Sequence, residues 1–169
     1  MRTPKPYANP YVAGVCLGLV LLASYVLAGR GLGASGGFAS VAAGAVAAVA
    51  PQQAAGNAYF QRYLAGVDPW TDWLVIELVG VVIGAFGSAW LAGRLSARID
   101  RGPEISGARR LVFAGVGGAA MGVGAVLARG CTSGQALTGG ALLSVGSWIF
   151  IAAAFAAGYL AAPFARRLW

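Results

Sequence analysis

The chain has 169 residues, of which 59% are hydrophobic and only 10% charged; a soluble domain carries about 25% charged residues, so this is the composition of an integral membrane protein. Twelve Lys and Arg against five Asp and Glu give a formal charge of +7. The basic residues stand at the ends of apolar runs and form neither a tract nor a stripe, which argues against nucleic acid as a partner. Histidine is absent and there are two cysteines, which removes a Ser-His-Asp triad and a histidine-based metal site, and leaves too few thiols for zinc or a disulfide framework.

The first apolar run, residues 10–28, follows Arg2 and Lys5 in the manner of a secretory signal peptide. It is long enough to span and comparable runs follow, so it is read as the first transmembrane helix, with cleavage after Ala28 as the alternative. Cys16 lies mid-span between Gly14 and Gly18, a small residue in a packing stripe. A Gly/Ser-rich break comes next, then a short apolar run at 37–50 stopped by Pro51. Residues 52–72 carry Tyr59, Phe60, Tyr63 and Trp70 and read as an interfacial helix, with Asp68 and Asp72 solvated.

The second span covers 73–93 and holds Glu77 one turn inside, where an acid is either functional or wet at the interface. The segment 94–110 carries Arg94, Arg98, Arg101, Arg109 and Arg110 against Asp100 and Glu104. The third span covers 111–128, a second short apolar run covers 135–146, and the fourth span covers 148–164, ahead of Arg166 and Arg167. Each span crosses about 30 Å of hydrocarbon at about 1.5 Å per residue; the short runs read as re-entrant helices. The basic N-terminus, central segment and C-terminus all belong to the cytoplasm, which demands an even number of crossings between them. Four spans and two re-entrant helices satisfy that; six spans do not. Trp70, Trp73 and Trp148 then suit the outer aromatic belt.

The expected fold is an all-α integral membrane protein, a single transmembrane domain over 1–169. It contains two parallel repeats: repeat 1 over about 10–95 and repeat 2 over about 110–165, joined by a cytoplasmic linker over about 96–109. Each repeat reads span, Gly/Ser loop, short re-entrant helix, span, and the two are related by an axis along the membrane normal. Gly33-Ala34-Ser35-Gly36 lies on Cys131-Thr132-Ser133-Gly134 at an offset of 98, with Arg30 and Arg129 just before the loops. The pairs Gly14/Gly18, Gly80/Gly84 and Gly118/Gly122 are GxxxG faces suited to close helix packing.

The loops carry the chemistry. Irregular backbone at membrane depth is tolerated only where it is buried in protein or lines a wet cavity. Ser35 and Ser133 each stand at the start of a short helix, whose first N–H groups are unpaired and whose end is partly positive. They either cap those helices or help seat a small anion there, with the glycines allowing close approach and the arginines adding positive potential. Capping does not call for Cys131. Helix N-termini and nearby arginines favour thiolate character, and a polarised thiol is a good partner for a sulfur-bearing anion; the bland alternative is a small buried hydrophobe.

The segment Ala128-Arg129-Gly130-Cys131-Thr132-Ser133-Gly134-Gln135-Ala136-Leu137, together with Gly29-Arg30-Gly31-Leu32-Gly33-Ala34-Ser35-Gly36, resembles the YeeE/YedE family of sulfur-compound transporters. The resemblance implies uptake of thiosulfate or a related sulfur anion across a bacterial inner membrane. It implies loops that plunge to the centre of an hourglass-shaped protein, where cysteines pass the substrate along by S–H···S hydrogen bonds. Cys131 matches a cysteine of this kind; with the loop chemistry above, the candidate substrate-binding residues are Arg129, Gly130, Cys131, Thr132, Ser133, Gly134 and Gln135 in the second loop, and Arg30, Gly33, Ser35 and Gly36 in the first. Gln135 stands where the family commonly has histidine, and Gly33 stands where a second thiol would be expected. Beside a full-length member the chain looks like one half, which implies a homodimer, or a heterodimer with a second half-size protein. Two other readings stay open: a membrane sulfur carrier forming a persulfide on Cys131, and an accessory subunit of a membrane complex. No cofactor is called for, no general base is evident for an enzyme, and there is no P-loop to couple transport to ATP.

Overall fold

The computed structural model describes residues 5–66, 68–102 and 105–166. Arg2, Glu104 and Arg167, counted above among the topology charges, lie outside the described residues. The regular structure described is entirely helical: α1 (Pro10–Ala28), α2 (Ala34–Val49), α3 (Pro51–Gly56), α4 (Ala58–Leu64), α5 (Trp73–Leu91), α6 (Gly107–Leu127), a π-helical segment (Ser133–Gly139) and α7 (Val145–Ala165). Helices α1, α5, α6 and α7 are long and apolar enough to cross a membrane, as the four apolar runs predict.

Local chemistry sets the ends. Asn9 caps α1 by accepting the Tyr11 N–H at 2.9 Å, and Pro10 at the first helical position loses no bond there. Helix α6 starts ahead of its apolar run because the Ser106 hydroxyl accepts the Arg109 N–H at 3.3 Å. Helix α5 closes on a glycine turn. Gly93 takes the left-handed conformation (φ 67), its N–H reaches the Trp90 carbonyl, and the Arg94 N–H reaches Ala89.

The chain divides into two compact units, Met1–Leu95 and Ser96–Trp169. In the first, α2 is the central element and packs against α3, α4 and α5. Its inner face is made of small residues, with Gly37, Ala39, Ser40, Ala43 and Gly44 all buried, and this is what lets α5 approach so closely. A Cβ on Gly37 would stand 2.5 Å from the Leu74 carbonyl oxygen, and one on Gly44 would stand 3.2 Å from the Trp70 ring. The stretch ahead of α1 meets the end of α5: the Lys5 N–H donates to the Ala92 carbonyl at 3.1 Å, while the Arg94 guanidinium donates to the Lys5 carbonyl and stacks 3.5 Å over the Tyr7 ring.

Between Pro51 and Leu64 two short helices replace the single interfacial helix expected. The break falls at Asn57, whose side chain turns back to accept the Tyr59 and Phe60 N–H groups at 2.9 and 3.4 Å and so starts α4 afresh. Burial, reinforced by Tyr59, pushes the Tyr63 phenol up to about 12.

In the second unit the π segment packs against α7. The short run expected at 135–146 is thus a wide-turned segment followed by a tight turn, and differs in length and kind from α2. Leu143 (φ 54) ends it: the Leu143 N–H donates to Gly140 and the Ser144 N–H to Gly139, both at 3.0 Å. The three GxxxG faces are bare within their own units, with no atom inside 4 Å of a Cβ built on Gly14, Gly18, Gly80, Gly84, Gly118 or Gly122.

Candidate functional site: two loops at helix ends

The first loop joins α1 to α2. Ser24, buried in α1, donates to the Arg30 carbonyl at 2.6 Å and folds the chain back after Gly29. Gly33 is the N-cap of α2, so Ser35 lies inside the first turn and is not the cap. The anion at this helix start is the chain's own: the Gly33 N–H donates to both Glu77 carboxylate oxygens, at 3.0 and 3.2 Å. Arg30 pairs with Asp72 at 3.3 Å, and the same carboxylate accepts the Ser40 hydroxyl at 3.0 Å. Gly36 packs directly under the Leu74 side chain.

One expectation changes here and a second is made specific. Asp72 is not solvated, since its side chain keeps 18% exposure and is held by Arg30 and Ser40. Glu77, expected to be functional or wet at the interface, is half-buried, and both of its carboxylate oxygens accept a backbone N–H, that of Gly33. The close α2–α5 packing causes both, because it brings the start of α5 against the start of α2. The loop's positive features are therefore answered from α5.

The second loop joins α6 to the π segment. Helix α6 ends in the same turn as α5, with the Arg129 N–H reaching Val126 and the Gly130 N–H reaching Ala125 at 2.8 Å. Here, however, the left-handed position is held by Arg129 (φ 55) instead of glycine. A side chain there costs about 1–2 kcal/mol, and backbone strain of this kind gathers at functional sites. Cys131 follows, half-buried, with its Sγ 3.0 Å from the Ser133 Oγ. Thr132 is exposed and already helical; Ser133, Gly134 and Gln135 are half-buried. Thiol and hydroxyl thus share one small polar surface that can both give and receive hydrogen bonds.

Gln135 is engaged at both ends of its amide. Its Nε2 donates to the Ala128 carbonyl at 2.7 Å, and its Oε1 accepts the Ser147 hydroxyl at 3.2 Å. Ser147, on α7 and 2% exposed, did not stand out in the sequence, because it falls just ahead of the apolar run read as the fourth span. Cys16, by contrast, is exposed on α1 with no polar company described. Among the described residues there is no cluster of three His, Cys, Asp or Glu that could hold a metal ion.

Each loop is thus assembled within its own unit: Arg30, Gly33, Ser35 and Gly36 beside Asp72 and Glu77, and Arg129 to Gln135 beside Ser147. The family model described as Sulphur transport matches residues 3–160. A thiosulfate transporter, TsuA, from Spirochaeta thermophila is 32% identical over 146 residues, covering 83% of this chain and 37% of that protein. The chain therefore spans 37% of the length of this relative. No solved structure matches the chain significantly. Transport families of this kind accord with the expectation that the chain is not an enzyme. With the model spanning nearly all of the chain, the protein belongs to the sulphur transport family, the YeeE/YedE group that its loop residues resemble.

Proposed function

We propose that the chain carries a small sulfur-containing anion, thiosulfate first among them, across a bacterial inner membrane, with the Cys131 thiol on the path. The observation that carries this reading is the Cys131–Ser133 pair, 3.0 Å apart in a loop whose backbone is strained at Arg129. Thiosulfate offers a soft terminal sulfur and hard oxygens. A thiol suits the first, and a hydroxyl donor or an exposed arginine suits the second. Membership of the family and likeness to a thiosulfate transporter support the choice of substrate.

The contact between the stretch ahead of α1 and the end of α5 supports the proposed topology. With those two points together, the reading has α1 and α5 crossing and α2, with 16 residues, entering and returning as a re-entrant helix. In the proposed arrangement α6 and α7 likewise cross around the π segment, and the basic residues at the ends of the spans put both termini in the cytoplasm and make the halves parallel. The bare GxxxG faces support pairing with a second copy or a sister chain to complete the path.

The test is thiosulfate uptake into proteoliposomes by the parent chain, Cys131→Ser and Cys131→Ala. Collapse in both variants, with folding intact, places the thiol on the path. Uptake kept by Cys131→Ser and lost by Cys131→Ala assigns the work to a polar loop without the thiol. Uptake unchanged in both overturns the reading.

A further inference from the structure

We infer that Gln135 and Ser147 are positioning residues that hold the Cys131 loop in its working geometry; this rests on the reading of Cys131 as the substrate-contacting group. The argument begins at the end of α6. Ala128 is the last residue before the turn, and its carbonyl belongs to the set that no helical N–H can reach. The Gln135 Nε2 fills that need at 2.7 Å. A carbonyl can only accept, so the amide nitrogen must face Ala128 and the amide oxygen must face away. That oxygen accepts a hydrogen bond from the Ser147 hydroxyl at 3.2 Å, and Ser147 is 2% exposed on α7.

A single line of bonds therefore runs from α7 through Gln135 to the end of α6, straddling Cys131. Both neighbours of the line are built to fit it. Gly130 leaves the Gln135 Cγ only 3.0 Å from where a Cβ would stand, and a Cβ on Gly139 would collide with the Ser147 hydroxyl. The Gln135 N–H itself closes on the Cys131 carbonyl at 2.8 Å, so any swing of residue 135 moves the thiol's own peptide. With left-handed Arg129 on one side, the loop has a strained backbone that relaxes unless something holds it. On this account Gln135 spends its amide on the protein and does not contact the anion, which departs from its place in the substrate set expected from the sequence.

The experiment uses the full chain with Cys16→Ala, so that alkylation by N-ethylmaleimide reports Cys131 alone. The alkylation rate, and the apparent thiosulfate KM and maximal uptake rate, are compared for Ser147→Ala, Gln135→Leu and the double variant, with thermal unfolding as the folding control. Each single variant should change the alkylation rate and raise KM by about threefold to tenfold, as loss of one hydrogen bond does, with the maximal rate within about twofold. The double variant should go no further than the larger single effect, because both break one line of bonds. Ser147→Ala removes one oxygen from a buried site and carries the test if Gln135→Leu fails to fold. Parent-like alkylation and KM in a folded Ser147→Ala, or additive effects, overturn the inference. The two readings fail separately. Uptake that ignores Cys131 while alkylation still follows Ser147 sinks only the placing of the thiol on the path. Uptake that needs Cys131 while neither quantity responds to Ser147 sinks the positioning role alone.

Discussion

Glu77 closes the start of α2 by taking the Gly33 N–H between its two carboxylate oxygens, at 3.0 and 3.2 Å. A helix start offers unpaired donors and a partial positive charge, and here α5 supplies the anion that answers both. The substitution Glu77→Ala should cost about 1–3 kcal/mol, the penalty for leaving a part-buried donor unsatisfied. Glu77→Gln keeps one acceptor oxygen and should cost less. Thermal unfolding in detergent checks the order, and a Glu77→Ala chain as stable as the parent would show that water serves Gly33 equally well.

Asp72 has two partners of unequal weight. The Arg30 side chain is 60% exposed, and exposed ion pairs are worth about 0–1 kcal/mol. Ser40 is fully buried at 0%, and its hydroxyl depends on the Asp72 carboxylate. Asp72→Ala should therefore destabilise by about 1–3 kcal/mol, against about 1 kcal/mol or less for Arg30→Ala. Equal losses from the two would mean that the Ser40 bond contributes little.

Close packing of α2 on α5 rests on one backbone-to-backbone approach. A Cβ on Gly37 would stand 2.5 Å from the Leu74 carbonyl oxygen, and neither helix backbone can swing aside as a side chain would. Gly37→Ala should cost about 1–3 kcal/mol through overpacking. Gly87→Ala serves as the contrast: nothing lies within 4 Å there, so the better helix former should be neutral or stabilising by about 0.5–1 kcal/mol. Similar unfolding temperatures for the two variants would count against the tight α2–α5 contact.

The spans were legible because hydropathy alone decides them: the run at 10–28 is α1. The loop residues were legible by type, since a thiol and hydroxyls between two apolar runs have few bland explanations. Their partners were not. Asp72 reads as solvated until α2 and the loop ahead of it bring Ser40 and Arg30 to it from 32 and 42 residues away. Gln135 reads as a ligand group in the sequence, which gives no sign of the Ala128 carbonyl and the Ser147 hydroxyl that bond to the two ends of its amide. The π segment left no trace in the sequence either, because a short apolar run has the same composition whichever way its turns are wound.

Leu143 is the second non-glycine residue held left-handed beside the Cys131 loop, at φ 54. It occupies the position that Gly93 fills after α5, so the two turns offer a direct comparison. Leu143 is 74% exposed within the chain, and glycine in its place should stabilise by about 1 kcal/mol through relief of backbone strain. Leu143→Val should do the opposite, because a branched Cβ is worse tolerated in this region. Gly93→Ala would introduce the same strain at the end of α5 and should lower the unfolding temperature by a similar amount. If Leu143→Gly is instead destabilising while Gly93→Ala behaves as expected, the Leu143 side chain must bury itself against something outside its own unit. Cross-linking of a cysteine placed at 143 would then separate a second protein chain from lipid.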